Sequence, residues 1–251
     1  MPIIQSLDRA LSILDLFDER NRELKITEIS AQMQLHKSTV HSLLKTLQLH
    51  RYIEQDAESG KYRLGMRLLE KGQLLLQGFD IREIARPHLE QLSQETGQTT
   101  HLVVQDGSEG VYIDKVEGAK AAIRYSRIGK RVPLHSSAVG KVLAAYLPVT
   151  ELNRILAAYH YQIQTPHTIT NEADLRAELE RIRANGVGFD REENEPGVRC
   201  TAAPVYDHSG HVSAAVSIST MVSTVNDEEF AKFAALVVRT ADSISKGLGR
   251  L

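Results

Sequence analysis

Hydrophobic positions along the first sixty-odd residues recur at helical spacing, then switch to alternation. In LDRALSILDLF, Leu7, Ala10, Leu11, Leu14 and Phe17 fall on one helical stripe, with Ser6 as a candidate N-cap. ITEISAQM follows, with Ile26, Ile29 and Met33 facing inward and Thr27 as a candidate cap. In HKSTVHSLLKTLQLH the apolar stripe is Val40, Leu43, Leu44 and Leu47, and the pattern predicts a helix over residues 36–51. Two short strands, 52–55 and 61–64, then flank Glu58-Ser59-Gly60, where Gly60 suits the positive φ of a hairpin. Helices joined by a tight turn and closed by a hairpin predict a winged helix-turn-helix over residues 1–65.

The stretch GMRLLEKGQLLLQGF, punctuated by Gly65, Gly72 and Gly78, predicts a linker helix over residues 66–79. Its Leu68, Leu69, Leu75 and Leu76 exceed what one small domain can cover, which predicts a homodimer or tetramer. Beyond it the pattern changes. A helix over 82–96 ends at Gly97, and THLVVQD, EGVYIDKVEG and AAIRYSRIG read as three consecutive strands. Helical patterns follow in SSAVGKVLAAYL, TELNRILAAY and NEADLRAELERIRANG. DREENEPGVRC reads as a loop, and a last hairpin, CTAAPVYD with HVSAAVSIST, turns at His208-Ser209-Gly210. The closing helix has Asn226 as its cap. Residues 80–251 thus predict an antiparallel sheet with helices laid on it, and the chain as a whole is α+β.

Composition narrows the function classes. Hydrophobic residues are 42% and charged residues 25% of 251, ordinary globular usage. The lone Cys200 excludes an internal disulfide framework and a multi-cysteine zinc site, and no metal or cofactor is expected. No apolar run approaches the roughly 18–20 residues that span a bilayer, and the N-terminus lacks the pattern of a signal peptide. These features predict a cytoplasmic protein without a membrane partner. With 30 Lys+Arg against 32 Asp+Glu, any nucleic-acid binding must come from a local patch. Such a patch exists. The third helix carries Lys37 and Lys45, the hydroxyls of Ser38, Thr39 and Ser42, and His41, without a single acid. Those six residues are the candidate face for double-stranded operator DNA.

The string ITEISAQMQLHKSTVHSLLKTLQLHRYIEQD followed by GKYRLG resembles the DNA-binding domain of the IclR family of bacterial transcriptional regulators. RIGKRVPLHSSAVGKVLAAYL and DREENEPGVRCTAAPVYD resemble that family's central and C-terminal segments, so the resemblance spans the chain. It implies a winged helix, a linker helix and a GAF-like effector-binding domain, assembled as dimers or dimers of dimers. Members controlling sugar-acid catabolism are the nearest in pattern. Two positions depart from it: Ser42 stands where many members have arginine, and His36 where serine or proline often opens the recognition helix. Both imply an altered operator preference or a greater share of contacts from Lys37, His41 and Lys45.

Three polar clusters in the second domain could form a site: LHSSAVG, DREENEPGVRC and the alternating SISTM. The first sits at a helix N-terminus, where backbone N–H groups bind anions. The resemblance implies an effector pocket from Ser137, Ala138, Val139 and Gly140, with Asp190, Cys200, Ser217 and Ser219. Arg124 and Ser126 on the preceding strand are added here as partners for a carboxylate and a hydroxyl. The expected effector is a small anion, a sugar acid or other organic acid; Asp190, taken as ionised, would accept hydrogen bonds from ligand hydroxyls, so a polyhydroxylated acid fits better than a simple hydrocarbon acid. Each cluster could equally be a cap, a solvated loop or a half-buried strand edge. The alternative function is an enzyme of GAF-like fold acting on a small acid, with the helix-turn-helix used for protein contact. Phosphate-loop, nucleophile-elbow, dinucleotide and zinc-protease motifs are all absent from the sequence. A Cys200–Asp190–His135 metal trio is chemically conceivable.

Overall fold

The computed structural model describes residues 3–18, 20–77, 80–120 and 126–250. The chain forms two compact units, Met1–Gly78 and Phe79–Leu251.

In the first unit, α1 (Gln5–Asp15), α2 (Ile26–Met33) and α3 (Lys37–Leu49) precede a hairpin of β1 (Ile53–Gln55) and β2 (Tyr62–Leu64), then α4 (Met66–Gln77). The core is Ile13, Ile29, Val40, Leu44, Leu47, Ile53 and Tyr62, with Leu24 bridged to Tyr62. Two expected caps are not caps. α1 starts at Gln5 after Ile4, so Ser6 is already helical. Thr27 is likewise inside α2, whose first turn is closed by the Lys25 N–H donating to Glu28 Oε2 at 2.6 Å. The apolar stripe of α1 is wider than its contact face: Ile13 is buried, while Leu7 and Leu11 are more than half exposed. α3 is shorter than its pattern, because Arg51 turns to φ +60° and starts the run into the hairpin. Gly65 lets that hairpin close onto the α3 end, since a Cβ there would stand 2.2 Å from the Arg51 carbonyl oxygen.

The second unit contains α5 (Asp80–Thr96), β3 (Thr99–Asp106), β4 (Glu109–Val116), β5 (Arg131–Pro133), α6 (Ala138–Ala145), α7 (Val149–Leu156), α8 (Glu172–Asn185), β6 (Gly188–Arg191), β7 (Val198–Tyr206), β8 (Val212–Met221) and α9 (Asp227–Gly247). Its six strands run in the order β5-β4-β3-β8-β7-β6, every described pairing antiparallel. One face packs α5 and α9 through Leu89, Leu102, Val216, Phe233 and Val237. The other packs α6, α7 and α8 through Val103, Val139, Val142, Leu175, Leu179 and Cys200. Asn226 caps α9, its Oδ1 accepting from the Glu229 N–H at 2.9 Å. Two expectations need correction. The AAIRYSRIG strand is not one at residues 126–129, and β5 takes the edge position instead; residues 121–125 lie outside the described ones. The expected loop around Asp190 is partly strand: β6 carries Asp190 opposite Cys200 on β7. Among the described residues, no helix is long and apolar enough to cross a membrane.

Candidate DNA-reading helix and effector site

α3 is entered through a three-residue turn. Gln34 takes a left-handed conformation, φ 54°, and Ser30 Oγ fixes the turn by donating to the Leu35 carbonyl at 2.6 Å. With Val40, Leu44 and Leu47 buried, Lys37, Ser38, His41, Ser42 and Lys45 are turned outward and Thr39 is half-buried. Ser38, Ser42, Lys45 and Leu49 run down the middle of that face, with His41 beside them and Lys37 at the first position of the helix. Ser42 Oγ donates to the Ser38 carbonyl at 3.1 Å, which leaves its oxygen as an acceptor and spends its hydrogen inside the helix.

In the second unit the expected residues converge on the sheet face under α6. Cys200 pairs in register with Asp190 on one side and Ser219 on the other. Its sulfur lies 3.1 Å from Ser219 Oγ. One register step on, Ser217 stands opposite His101 on β3. Ser126 Oγ reaches His101 Nε2 at 2.7 Å. Ser217, Ser219, Asp190 and Ser126 are all buried. Arg124 lies outside the described residues.

Ser137, rather than Ser136, caps α6. Its Oγ accepts from the Gly140 N–H at 3.0 Å and donates to the Pro133 carbonyl at 2.7 Å. That employs Gly140's N–H internally and leaves those of Ala138 and Val139 as the first-turn donors without a helical partner. Gly140 must be glycine, because a Cβ would meet the Pro133 oxygen at 2.2 Å. Ser136 instead donates to Asn194 Oδ1 at 3.1 Å.

Asp190 is 1% exposed, and Oδ1 accepts from the backbone N–H of Glu193 at 2.7 Å and of Asn194 at 3.3 Å. Burial, partly offset by the Glu193 N–H, pushes its carboxyl up to about 7. Near neutrality it is therefore partly protonated and can donate as well as accept. This alters the expectation of a purely accepting carboxylate.

Sequence reading missed His101, Tyr112 and Lys141, and gave Glu193 no role beyond its place in the DREENEPGVRC cluster. His101 is fully buried and packs on Tyr112 with ring centroids 5.0 Å apart. Its signal was available: on THLVV it alternates in phase with Val103, a core position. Lys141 is wholly buried, with Nζ 2.6 Å from both Glu193 carboxylate oxygens and 3.9 Å from Glu178. A lone cation in the otherwise apolar AVGKVLAA was its signal. The chemically conceivable metal trio is not assembled. His135 is held by Tyr159 and Gln162, each at 3.0 Å, and among the described residues no group of three His, Cys, Asp or Glu could hold a metal ion.

Comparison with known proteins agrees with both units. Residues 6–57 match the IclR helix-turn-helix domain, and residues 73–246 match the bacterial transcriptional regulator IclR C-terminal domain. The HTH-type transcriptional regulator XynR of Escherichia coli (strain K12) is 54% identical over 249 residues, 99% of each chain. The transcriptional repressor IclR of the same organism is 32% identical, covering 98% of this chain and 90% of its own. An IclR homologue from Microbacterium hydrocarbonoxydans, crystallised with 4-hydroxybenzoate, superposes with a TM-score of 0.82 at 25% identity, covering 97% of this chain and 98% of its own.

Proposed function

The chain belongs to the IclR family of bacterial transcriptional regulators, and we propose that it is a repressor that α3 seats on operator DNA and a small organic anion releases. The carrying observation is the outward face of α3, which presents Lys37, Ser38, His41, Ser42 and Lys45 on a helix without one acid. In a chain of net charge −2, that concentration of donors belongs to a surface that meets phosphates and base edges. XynR and IclR are regulators of transcription, which supports this reading over an enzyme.

In the second unit, Ser137, Ala138, Val139, Asp190, Cys200, Ser217 and Ser219 form the effector site, with Ser126 behind them. The first-turn N–H groups of Ala138 and Val139 and the hydroxyls of Ser217 and Ser219 can donate there, which suits an oxyanion. Several hydroxyl partners suit a hydroxylated acid of the sugar-acid type. The homologue bound to 4-hydroxybenzoate supports a small hydroxy acid in this fold. Residues 66–79 act as the linker between reading and sensing. Leu69 and Leu74 on α4 and Ile3, Ile4, Leu7 and Leu11 around α1 are all more than half exposed, which supports a homodimer or a tetramer that covers them. Leu68 is half-buried, and the side chains of Leu75 and Leu76 lie outside the described ones.

The test is fluorescence anisotropy with DNA from upstream of the protein's own gene, across a salt series. Lys45→Ala should weaken all sequences about equally and reduce the salt slope by roughly one. Unchanged affinity and slope in Lys37→Ala, His41→Ala and Lys45→Ala would remove α3 from the interface. A monomer by light scattering, with and without DNA, would contradict the assembly.

A further inference from the structure

Three hydroxyls converge on the buried ring of His101. Ser126 Oγ lies 2.7 Å from Nε2, and Ser217 and Ser219 Oγ each lie 3.5 Å from Nδ1. The lengths are informative. N–H···O bonds centre near 2.9–3.0 Å and reach down to about 2.7 Å, so a contact of that length is at the short end for an N–H donor and ordinary for a hydroxyl. The 2.7 Å contact therefore fits Ser126 O–H donating to the Nε2 lone pair. A neutral imidazole carries one N–H. Burial, with the nearby Lys115 cation second, pulls the ring down to about 3, so it is neutral at any working pH. With Nε2 accepting, the single hydrogen sits on Nδ1, which stands 3.5 Å from each serine oxygen, too far for a strong bond to either.

This arrangement decides what the serines can offer. A protonated Nδ1 has no lone pair to accept with, so neither serine spends its own hydrogen on His101. Ser219 has a second neighbour at 3.1 Å, the Cys200 thiol, which can donate to it. In the opposite tautomer, Nδ1 would be an acceptor, and one serine would turn its hydrogen inward to it.

We propose that His101, held by Ser126 as its Nδ1–H tautomer, sets Ser217 and Ser219 as a pair of hydrogen-bond donors and so makes this part of the site select an oxyanion over an uncharged hydroxyl. His101 is a positioning residue in this role and need not touch the effector. The inference rests on the reading of this site as the effector pocket.

Two measurements test it on the full chain. The first uses no ligand: histidine-labelled ¹⁵N NMR of the wild type and Ser126→Ala. The expected result is an N–H-type Nδ1 and a lone-pair-type Nε2 for the ring that responds to Ser126→Ala, with the two tautomers averaging in the variant. The reverse assignment in the wild type, or no response of any ring, overturns the inference. The second measures binding of D-gluconate and of its uncharged counterpart D-glucitol. Ser126→Ala should shrink the preference for gluconate about tenfold. An unchanged preference, or an equal loss for both compounds, also overturns it. If gluconate does not bind the wild type, the sugar-acid effector fails, while the ring assignment still decides the role of His101.

Discussion

Lys141→Met is the sharpest perturbation of the effector domain. Lys141 Nζ is wholly buried, 2.6 Å from both Glu193 oxygens and 3.9 Å from Glu178. At an effective dielectric of about 20 the nearer pair attracts by about 6 kcal/mol gross and the farther by about 4. Desolvation of each ion, several kcal/mol, offsets much of this, so the net value of the pair is small. Removing one partner is different, because it leaves the other charge buried and unmatched, at about 3–5 kcal/mol. For a domain this size that lowers the melting temperature by about 6–20 °C. The assay is thermal unfolding followed by tyrosine fluorescence, since Tyr112, Tyr146, Tyr159, Tyr161 and Tyr206 all report on the second unit. Glu193→Gln should cost less than Lys141→Met, because Glu178 still faces the ammonium. The double variant Lys141→Met with Glu193→Leu should recover most of the loss. A Lys141→Met protein melting within about 3 °C of wild type, roughly 1 kcal/mol here, would refute the account of this pair.

Gly140→Ala should lower the same melting temperature by about 2–12 °C, from about 1–3 kcal/mol of overpacking against the Pro133 oxygen; an unchanged value would mean that the α6 start can shift freely. Asp190→Asn should be relatively more stabilising at pH 8 than at pH 5. The raised carboxyl binds its proton in the folded state between about pH 4 and 7, so wild-type stability falls as pH rises through that window and is level above it. Parallel melting curves for wild type and Asp190→Asn from pH 4 to 8 would show that the carboxyl titrates normally.

What the sequence reveals depends on whether a feature is periodic. α3 and the hairpin are legible because Val40, Leu44 and Leu47 recur at helical spacing and Gly60 takes φ +67° in the turn. Asn226 and Gly97 mark helix ends by local chemistry, and both are where they were expected. β6 is not legible. Its four residues, GFDR, carry an acid at a buried position, and only pairing with β7 makes them a strand. The edge strand β5 is hidden for a similar reason, being three residues that end in proline. Within the site, Cys200, Ser217 and Ser219 are recognisable by resemblance. The groups that govern them are not, since Ser126 meets His101 across 25 positions and Lys141 meets Glu193 across 52. Such pairs are made by tertiary packing of β3, α6 and the turn after β6, which no local pattern encodes.

The two shifted groups of this sheet face make a prediction about the effector itself. His101 is neutral because burial holds its ring at about 3, and Asp190 is largely neutral below its value of about 7. In mildly acidic solution, neither group opposes an anion, and Asp190 can donate its proton toward one. Above pH 7 the carboxyl ionises. An anionic effector must then either bind beside a like charge or take up a proton with it, so affinity falls by up to tenfold per pH unit. His101 cannot compensate, since charging the imidazole would need a pH far below this range. The comparison is the gluconate dissociation constant at pH 6, 7 and 8, by calorimetry in buffers of different ionisation enthalpy, for wild type and Asp190→Asn. Wild-type binding should weaken from pH 7 to 8 with proton uptake, and the asparagine variant should be flat with none. An identical pH dependence in both proteins would place the titrating group elsewhere and remove Asp190 from the anion's surroundings.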